Sequence, residues 1–143
     1  MLRLIVAIVS LGLCSLAGAQ VTTLAAVKAK NGVQLSAEEL KQLMPGAKVI
    51  SRTQAGSTRR WETNPHGTFV ASSDGRGSTA GRNAYATAAG TWRVADNGRL
   101  CVMIKWTVSP DDWCRLMFRV GDKYYGVERL DNNASASEFE FSK

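Results

Sequence analysis

The chain has 143 residues, of which 45% are hydrophobic and 21% are charged, and its formal net charge at pH 7 is +6. A chain of this length builds one hydrophobic core, so we expect a single globular domain. The sequence contains one histidine, His66. That count excludes zinc sites needing two imidazoles and leaves a Ser-His-Asp or Cys-His hydrolase with one candidate base.

The N-terminal segment has the pattern of a secretory signal. Arg3 precedes a mostly apolar run over residues 4–13, and the segment ends in Ala17-Gly18-Ala19. A short positive region, an apolar core too short to span a bilayer and an Ala-x-Ala end together predict cleavage after Ala19. We therefore interpret residues 1–19 as a signal peptide and expect a periplasmic or secreted protein.

Cys14 leaves one alternative open within this segment. A cysteine at such a place is the acylated residue of bacterial lipoproteins, but Leu13 stands before it, where lipoprotein processing prefers a small residue. Simple cleavage is therefore favoured over lipidation. No later apolar run approaches the ~18 residues of a membrane-spanning helix, so we expect no transmembrane segment in the mature chain.

The cysteines that remain after cleavage are Cys101 and Cys114, and loss of Arg3 lowers the net charge to +5. An even pair of cysteines in an exported chain predicts a disulfide. This cross-link closes a short loop, which stabilises the fold by on the order of 3 kcal/mol. The alternative is two separate buried thiols.

One segment, LSAEELKQLMPG, predicts a short helix. Ser36 is a good N-cap with Glu39 at the capping-box position, and Leu35 and Leu40 suit a hydrophobic staple. Pro45-Gly46 ends the helix. Because so short a helix is marginal alone, it must pack on the rest of the domain.

The chain after Gly46 divides into short β-prone runs separated by turn residues. The runs are AKVISRTQ, RRWET, TFVASS, GTWRV, RLCVMIKW, WCRLMFRV, KYYGVERL and SEFEF. Their spacing predicts a mainly β domain over residues 35–143, an antiparallel meander or small barrel of about seven or eight strands. We expect residues 20–34 to be a flexible lead-in and residues 72–90, rich in Gly, Ser and Ala, to be a long loop or weakly ordered hairpin.

Two hairpins have a preferred register. A three-residue loop at 96–98, with Gly98 in the left-handed conformation, and a two-residue loop at 121–122 both place apolar side chains opposite one another. The expected apolar pairs are Trp92 with Val102, Val94 with Leu100, Phe118 with Tyr125, and Leu116 with Val127. On the other face of the second hairpin, Arg115 is expected opposite Glu128, and their opposite charges support the same register.

The other face of these strands is predicted to mix cations, methionines and aromatic residues, and we term it the Arg/Met/aromatic face. Its members are Arg93, Arg99, Cys101, Met103, Lys105, Trp113, Arg115, Met117, Arg119 and Tyr124. A solvated face is poorer in Met and Trp. The candidate ligand- or partner-binding residues are therefore Arg93, Arg99, Trp113, Arg115 and Arg119. Simple alternation places Cys114 on the opposite face from Cys101, so the disulfide needs a bulge or a strand that begins after Cys114, or it is wrong.

Four segments carry a resemblance: LSAEELKQLMPG, Asp74-Gly75, GTWRVADNGRLCV and WCRLMFRVGDKYYGV. Over residues 35–127 the chain resembles small exported bacterial proteins catalogued only as a domain of unknown function. The resemblance implies an exported β-rich domain with a disulfide and no stated activity, in which the scaffold residues are Gly90, Trp92, Gly98, Leu100, Cys101 and Cys114. The Gly-x-Trp at residues 90–92 is also similar to the signature of lipocalin-like barrels, although there it opens the first barrel strand.

No catalytic residue, metal site or cofactor is predicted. His66 lies in the turn sequence Asn-Pro-His-Gly, and no nucleophile elbow is available to present a partner to it. Asp111 and Asp112 follow Pro110 in a predicted turn and lack the ligand spacing of a calcium loop.

The basic residues are the remaining functional lead. Together with the Arg/Met/aromatic face, Arg52, Arg59 and Arg60 suit an anionic envelope component or an acidic protein, whereas nucleic acid is not expected. We therefore expect an exported non-enzymatic binding protein of the bacterial periplasm or envelope that engages an anionic ligand or partner through this face. The alternative is a structural envelope protein or a protein inhibitor of an envelope enzyme. A closed barrel whose Trp106, Trp113 and Met117 line an internal cavity would favour a ligand, and a filled core with an exposed basic strip would favour a protein or polyanion.

Overall fold

The computed structural model describes residues 22–54, 56–74 and 86–143. Within these ranges, two short α-helices and nine β-strands follow one another along the chain. They are α1 (Leu24–Ala29), β1 (Val33–Gln34), α2 (Ala37–Leu43), β2 (Lys48–Arg52), β3 (Thr58–Glu62), β4 (Thr68–Ser73), β5 (Ala86–Val94), β6 (Leu100–Ile104), β7 (Asp111–Val120), β8 (Lys123–Val127) and β9 (Ala136–Ser142). The predicted signal peptide and residues 75–85 of the Gly/Ser/Ala-rich stretch lie outside the described residues.

Strands β2 to β9 form a closed antiparallel barrel in which each strand pairs with the next along the chain. The ring closes where β9 pairs with β2, with Phe141 opposite Val49 and Phe139 opposite Ser51. The short strand β1 lies beside β7. The prediction of a mainly β domain with a short helix is confirmed, and of its two forms the small barrel is the one observed.

Both predicted hairpin registers are confirmed. Trp92 pairs with Val102 across β5 and β6, and Phe118 pairs with Tyr125 across β7 and β8. Gly98 has a φ of 77°, the left-handed conformation that favours glycine. The three-residue loop therefore forms as its sequence requires.

Apolar side chains fill the barrel interior. Buried members of this core include Val49, Trp61, Phe69, Leu100, Val102, Ile104, Met117 and Phe139. Gly90 in β5 makes room for one of them, because a Cβ at this position would lie 2.1 Å from the Phe69 ring. The Gly-x-Trp signature thus belongs to the fourth strand of the barrel, where its glycine admits an aromatic side chain from β4.

Helix α2 covers one end of the barrel. The predicted capping box is present: the Glu39 N–H donates to Ser36 Oγ (3.2 Å) and the Ser36 N–H donates to Glu39 Oε2 (2.8 Å). Leu40 and Met44 are fully buried in the barrel core. The helix therefore packs on the sheet, as expected for a helix too short to be stable alone.

Helix α1 packs outside the barrel and corrects the expectation of a flexible lead-in from residue 22 onwards. The Leu24 N–H donates to the Ala134 carbonyl (2.9 Å), which ties the helix to the loop before β9. Leu24 and Val27 of α1 belong to an apolar cluster on the outer wall, which we call the outer apolar cluster. Its other members are Leu116, Phe118, Tyr125, Val127 and Ala134. The segment lacks a periodic pattern because only two of its side chains are buried in this cluster, so its order comes from the barrel wall.

The register of β6 against β7 decides which side chains of these strands face inward. Cys101 pairs with Cys114, and Leu100 pairs with Arg115. Directly paired residues lie on the same side of a sheet. The predicted disulfide is therefore confirmed on the outer wall, with Cα atoms 4.0 Å apart and no bulge between the strands.

The single Arg/Met/aromatic face is wrong. Its β5 and β6 residues Arg93, Cys101 and Met103 lie on the outer wall, as does Arg99 in the loop between these strands. Its β7 residues Trp113 and Arg115 instead face inward beside Val102 and Leu100. Alternation defines two faces within each hairpin, but it does not relate the faces of two separate hairpins. The β6–β7 pairing sets that relation.

The helices of the described residues are short. None of them is long and apolar enough to cross a membrane. Both serve instead as covers, α1 for the outer wall of β7 and β8 and α2 for one end of the barrel.

Candidate functional site

The barrel end opposite α2 holds a cleft of about 700 Å³, which we call the open-end cleft. The loops 53–57 and 128–135 border it, because β2 and β8 end there and β3 and β9 begin there. Its charged lining consists of four arginines and two carboxylates, namely Arg52, Arg59, Arg115, Arg129, Asp111 and Glu128. Arginine is thus the dominant charged residue of this end.

The cleft opens where β7 runs beyond the end of β8. Strand β8 pairs with β7 over residues 116–120, so residues 111–115 have β6 on one edge and the loop after β8 on the other. Arg99 spans this break on the outer wall, where its Nη1 donates to the carbonyls of Cys114 (3.3 Å) and Glu128 (2.9 Å). On the inner side, alternation along β7 turns Asp111, Trp113 and Arg115 toward the cleft.

Asp111 is held from two sides. It forms an ion pair with Arg59, and the Trp106 indole N–H donates to the same carboxylate oxygen (2.8 Å). The Arg59 guanidinium also lies over the Trp106 ring, 5.4 Å from its centroid. These three side chains form one connected group on the cleft wall.

Arg115 lies deeper and has fewer polar contacts. Its guanidinium stacks over Trp113, 4.7 Å from the ring centroid, and Nη2 contacts Glu128 Oε1 at 3.3 Å. Burial lowers the pKa of Arg115, while Glu128 and Asp111 act to raise it and Arg59 to lower it. Arg59 and Arg115 both line the open-end cleft.

Two donors of this group have no acceptor. The Nε atoms of Arg59 and Arg115 are both buried, and neither has a hydrogen-bond partner in the described part of the chain. Buried N–H groups in native proteins are nearly always paired. Each guanidinium therefore keeps a free N–H beside the cleft, where the oxygen of a bound anion would complete its hydrogen bonding.

The structure brings two of the five predicted binding residues to this cleft, Trp113 and Arg115. Arg93 is exposed on the outer wall opposite Cys101, and Arg99 holds the break between β7 and β8 from outside. Arg119 lies at the other end of the barrel, in a small groove beside Glu39 of α2.

Sequence reasoning undervalued the other members of the site. The sequence predicts a turn at Asp111, whereas this residue begins β7 and continues the alternation of Trp113 and Arg115 by one more step. Extending that strand by two residues would have found it. Arg59 gives no signal beyond being one of several basic residues, because its contact with Asp111 forms only when the barrel closes. Glu128 is expected opposite Arg115 from the register of the 121–122 hairpin, and the structure pairs the two side chains. Trp106, expected to line an internal cavity, donates instead to Asp111 on the cleft wall.

Two further kinds of site, a metal site and a site at His66, were considered for the described residues. No group of histidine, cysteine and acidic side chains there is arranged to hold a metal ion. His66 lies in an exposed turn, as predicted, and its backbone N–H donates to Asn64 Oδ1 at 2.9 Å.

Comparison with known proteins finds a family match for this chain. A family model described as "Protein of unknown function (DUF995)" matches residues 14–118, which include β1 through most of β7 and therefore Arg59, Asp111 and Arg115. The resemblance to a catalogued domain of unknown function is thereby confirmed. No curated protein and no solved structure matches the chain.

Proposed function

The chain belongs to DUF995, a family of proteins of unknown function, and from this premise we propose that it is an exported, non-enzymatic binding protein of the bacterial periplasm or envelope. Its ligand is a small anion that enters the open-end cleft. The observation that carries this proposal is the pair of buried, unpartnered Nε–H donors on Arg59 and Arg115 beside that cleft.

The chemistry of the cleft favours an oxyanion. Hydrogen bonds from guanidinium groups to carboxylate or phosphate oxygens are charge-assisted and stronger than neutral ones. A volume of about 700 Å³ lies within the range of small-molecule sites. The excess of arginine over carboxylate in the lining also attracts negative charge.

The depth of the cleft favours a compact ligand. Trp113 contacts Phe139, with ring centroids 5.5 Å apart, and Phe139 is fully buried in the core. The barrel below these rings is filled by side chains, so a ligand is confined to the open end. This geometry supports a small anion rather than a long acyl chain, and it supports a ligand over the alternative of a protein inhibitor acting through an exposed strip.

The lining also supports a binding role over a catalytic one. Among the residues that line the cleft within the described chain there is neither histidine nor cysteine. Both carboxylates face arginines, Asp111 with Arg59 and Glu128 with Arg115. Such a lining offers donors for an anion and no nucleophile held by a general base.

Export is supported by the disulfide between Cys101 and Cys114, since such bonds persist in oxidising compartments. The test is the intact mass of the protein recovered after expression in a bacterial host, with and without reduction. We expect a chain that begins at Gln20 and gains two hydrogens on reduction. A retained N-terminal segment would contradict export, whereas a chain that begins at a lipid-bearing Cys14 would contradict only cleavage after Ala19.

Ligand binding is tested by native mass spectrometry after the purified protein is incubated with a small-molecule extract of the bacterial envelope. The variants are Arg115→Gln and, as a matched control at the other barrel end, Arg119→Gln. We expect wild type and the control to retain the same anionic adduct and Arg115→Gln to lose it. Equal retention by a folded Arg115→Gln protein, or no adduct on wild type, would contradict the proposal.

A further inference from the structure

The two ion pairs of the open-end cleft are held very differently. Arg59 and Asp111 are similarly buried, with side chains 24% and 23% exposed, and Trp106 fixes the carboxylate. Arg115 is only 19% exposed, whereas its partner Glu128 is 65% exposed and contacts it at 3.3 Å. Arg115 is therefore a largely buried cation whose carboxylate partner is exposed to solvent.

Glu128 has a fixed backbone and a loosely held side chain. It follows the last residue of β8, and its carbonyl oxygen accepts from Arg99 Nη1 at 2.9 Å. Its carboxylate contacts Arg115 at a distance longer than a typical charge-assisted hydrogen bond. An ion pair with an exposed partner contributes little free energy because water competes for the charge. The side chain can thus leave Arg115 at small cost while the wall of the barrel stays in place.

Arg115 itself is mostly out of water, so it gains free energy from an anion that takes the place Glu128 leaves. Glu128 and an arriving anion therefore compete for the same guanidinium. That anion would meet Nη2 and the free Nε–H on one edge of Arg115, and a further free donor, Arg59 Nε, in the same cleft.

We propose that the oxyanion group of the ligand replaces the Glu128 carboxylate on Arg115, so that Glu128 acts as a built-in competitor which sets the affinity of the cleft for anions. This inference rests on the proposed function and names the class of its ligand. The group carries at least two oxygens on one centre, as a carboxylate or a phosphate does, because Nε–H and Nη2–H of one guanidinium point in parallel and suit two such oxygens.

The exchange conserves the charge state of the site. One anion enters and one carboxylate side chain swings into water, so Arg115 is paired before and after binding. A ligand with a single charged oxygen would leave one of the two parallel donors unpaired, and it would compete poorly with Glu128.

The experiment uses the full chain with Glu128→Gln, a change at an exposed side chain that the fold tolerates. Inorganic phosphate and acetate are titrated separately at constant ionic strength, with binding followed by chemical shifts of the Trp106 and Trp113 indole groups. We expect the variant to bind phosphate, acetate or both about three- to fivefold more tightly than wild type, since one competing exposed ion pair is removed. The anion with the larger gain identifies the oxyanion class.

The matched control is Glu38→Gln on α2, at the opposite end of the barrel. Glu38 is 77% exposed and pairs with Lys41, so this variant changes the net charge by the same amount without touching the cleft. We expect its affinity for both anions to equal that of wild type. An equal gain in the two variants would reduce the effect to net charge and overturn the inference.

The remaining outcomes separate the inference from the proposed function. If wild type binds an anion and Arg115→Gln loses it, but Glu128→Gln gains nothing, the competitor role is wrong and the binding function stands. If neither wild type nor Glu128→Gln binds either anion, both are overturned, because the variant presents an uncontested guanidinium.

Discussion

At one end of the barrel, Leu40 and Met44 of α2 pack in the core, and a capping box caps the N-terminus of this helix. At the other end the strands stop around a cleft lined by four arginines and two carboxylates. The same antiparallel strands connect the two ends, so the ends differ in whether their polar groups have hydrogen-bond partners. The capping box pairs the Ser36 and Glu39 N–H groups, whereas the cleft keeps the buried Nε donors of Arg59 and Arg115 without a partner among the described residues. A bound anion would supply the acceptor that these two donors lack.

The largest expected effect is at the covered end. Leu40→Ala leaves a cavity under α2, and we expect it to lower the free energy of unfolding by about 2–5 kcal/mol. Leu130→Ala, in the loop beside the cleft, changes a side chain that is 55% exposed and should stay within about 0.5 kcal/mol. Urea denaturation followed by tryptophan fluorescence measures both. Similar losses would mean that the two ends do not differ in their contribution to stability.

The disulfide tests the half of β7 that carries the cleft residues. Replacing both Cys101 and Cys114 by alanine should lower the free energy of unfolding by about 3 kcal/mol, because a short closed loop is released. Residues 111–115 pair with β6, which the disulfide joins to β7, while residues 116–120 pair with β8 instead. Hydrogen exchange should therefore accelerate more over 111–115. An even acceleration along β7 would contradict the view that the disulfide secures the cleft wall.

Removing the helix cap should have a smaller effect confined to the covered end. Ser36→Ala takes away the hydroxyl that accepts the Glu39 N–H, and we expect a loss of about 1 kcal/mol. Ser36→Thr keeps an acceptor and serves as the control. Thermal unfolding compares the variants, and anion affinity of the cleft should be unchanged in both. A change in that affinity would show that the two ends are coupled.

The smallest expected effect is a pH dependence at the same cap. Hydrogen bonds from the Ser36 backbone and side chain lower the pKa of Glu39 below its ordinary 4.5. A carboxyl group with a lowered folded-state pKa contributes stability above the unfolded value, and this contribution is lost as the pH falls through the folded value. We expect NMR signals of α2 to show fraying below about pH 4.5. The same titration of Glu39→Gln should show less change, and identical curves would contradict the assignment.

Much of the fold could be predicted because its signals are local. The capping box needs only Ser36 and Glu39, and the tight loop at 96–98 needs a glycine that accepts a positive φ. The β-prone segments between turn sequences correspond to observed strands, because turn chemistry and alternation act over a few residues. Helix α1 escaped prediction since its order depends on Leu24 and Val27 meeting a distant barrel wall.

The candidate site was predicted in part for the same reason. Trp113 and Arg115 were found because they alternate on one strand, and Asp111 belongs to the same series. Arg59 contacts Asp111 across 52 residues of sequence, from a strand that is not a neighbour of β7 in the sheet. No local pattern can indicate a contact that exists only because the barrel closes.

The sequence by itself determined the elements: the capped helix, the strands with their turns, two hairpin registers and a cysteine pair suited to a disulfide. Tertiary structure decided which face of each hairpin turns inward. Alternation divides a strand into two faces but is symmetric between them, and the β6–β7 register together with closure of β9 on β2 breaks that symmetry. The register and the closure together place Arg93 and Arg99 on the outer wall and Arg115 beside the cleft. The inner and outer faces become different only when the sheet closes into a ring.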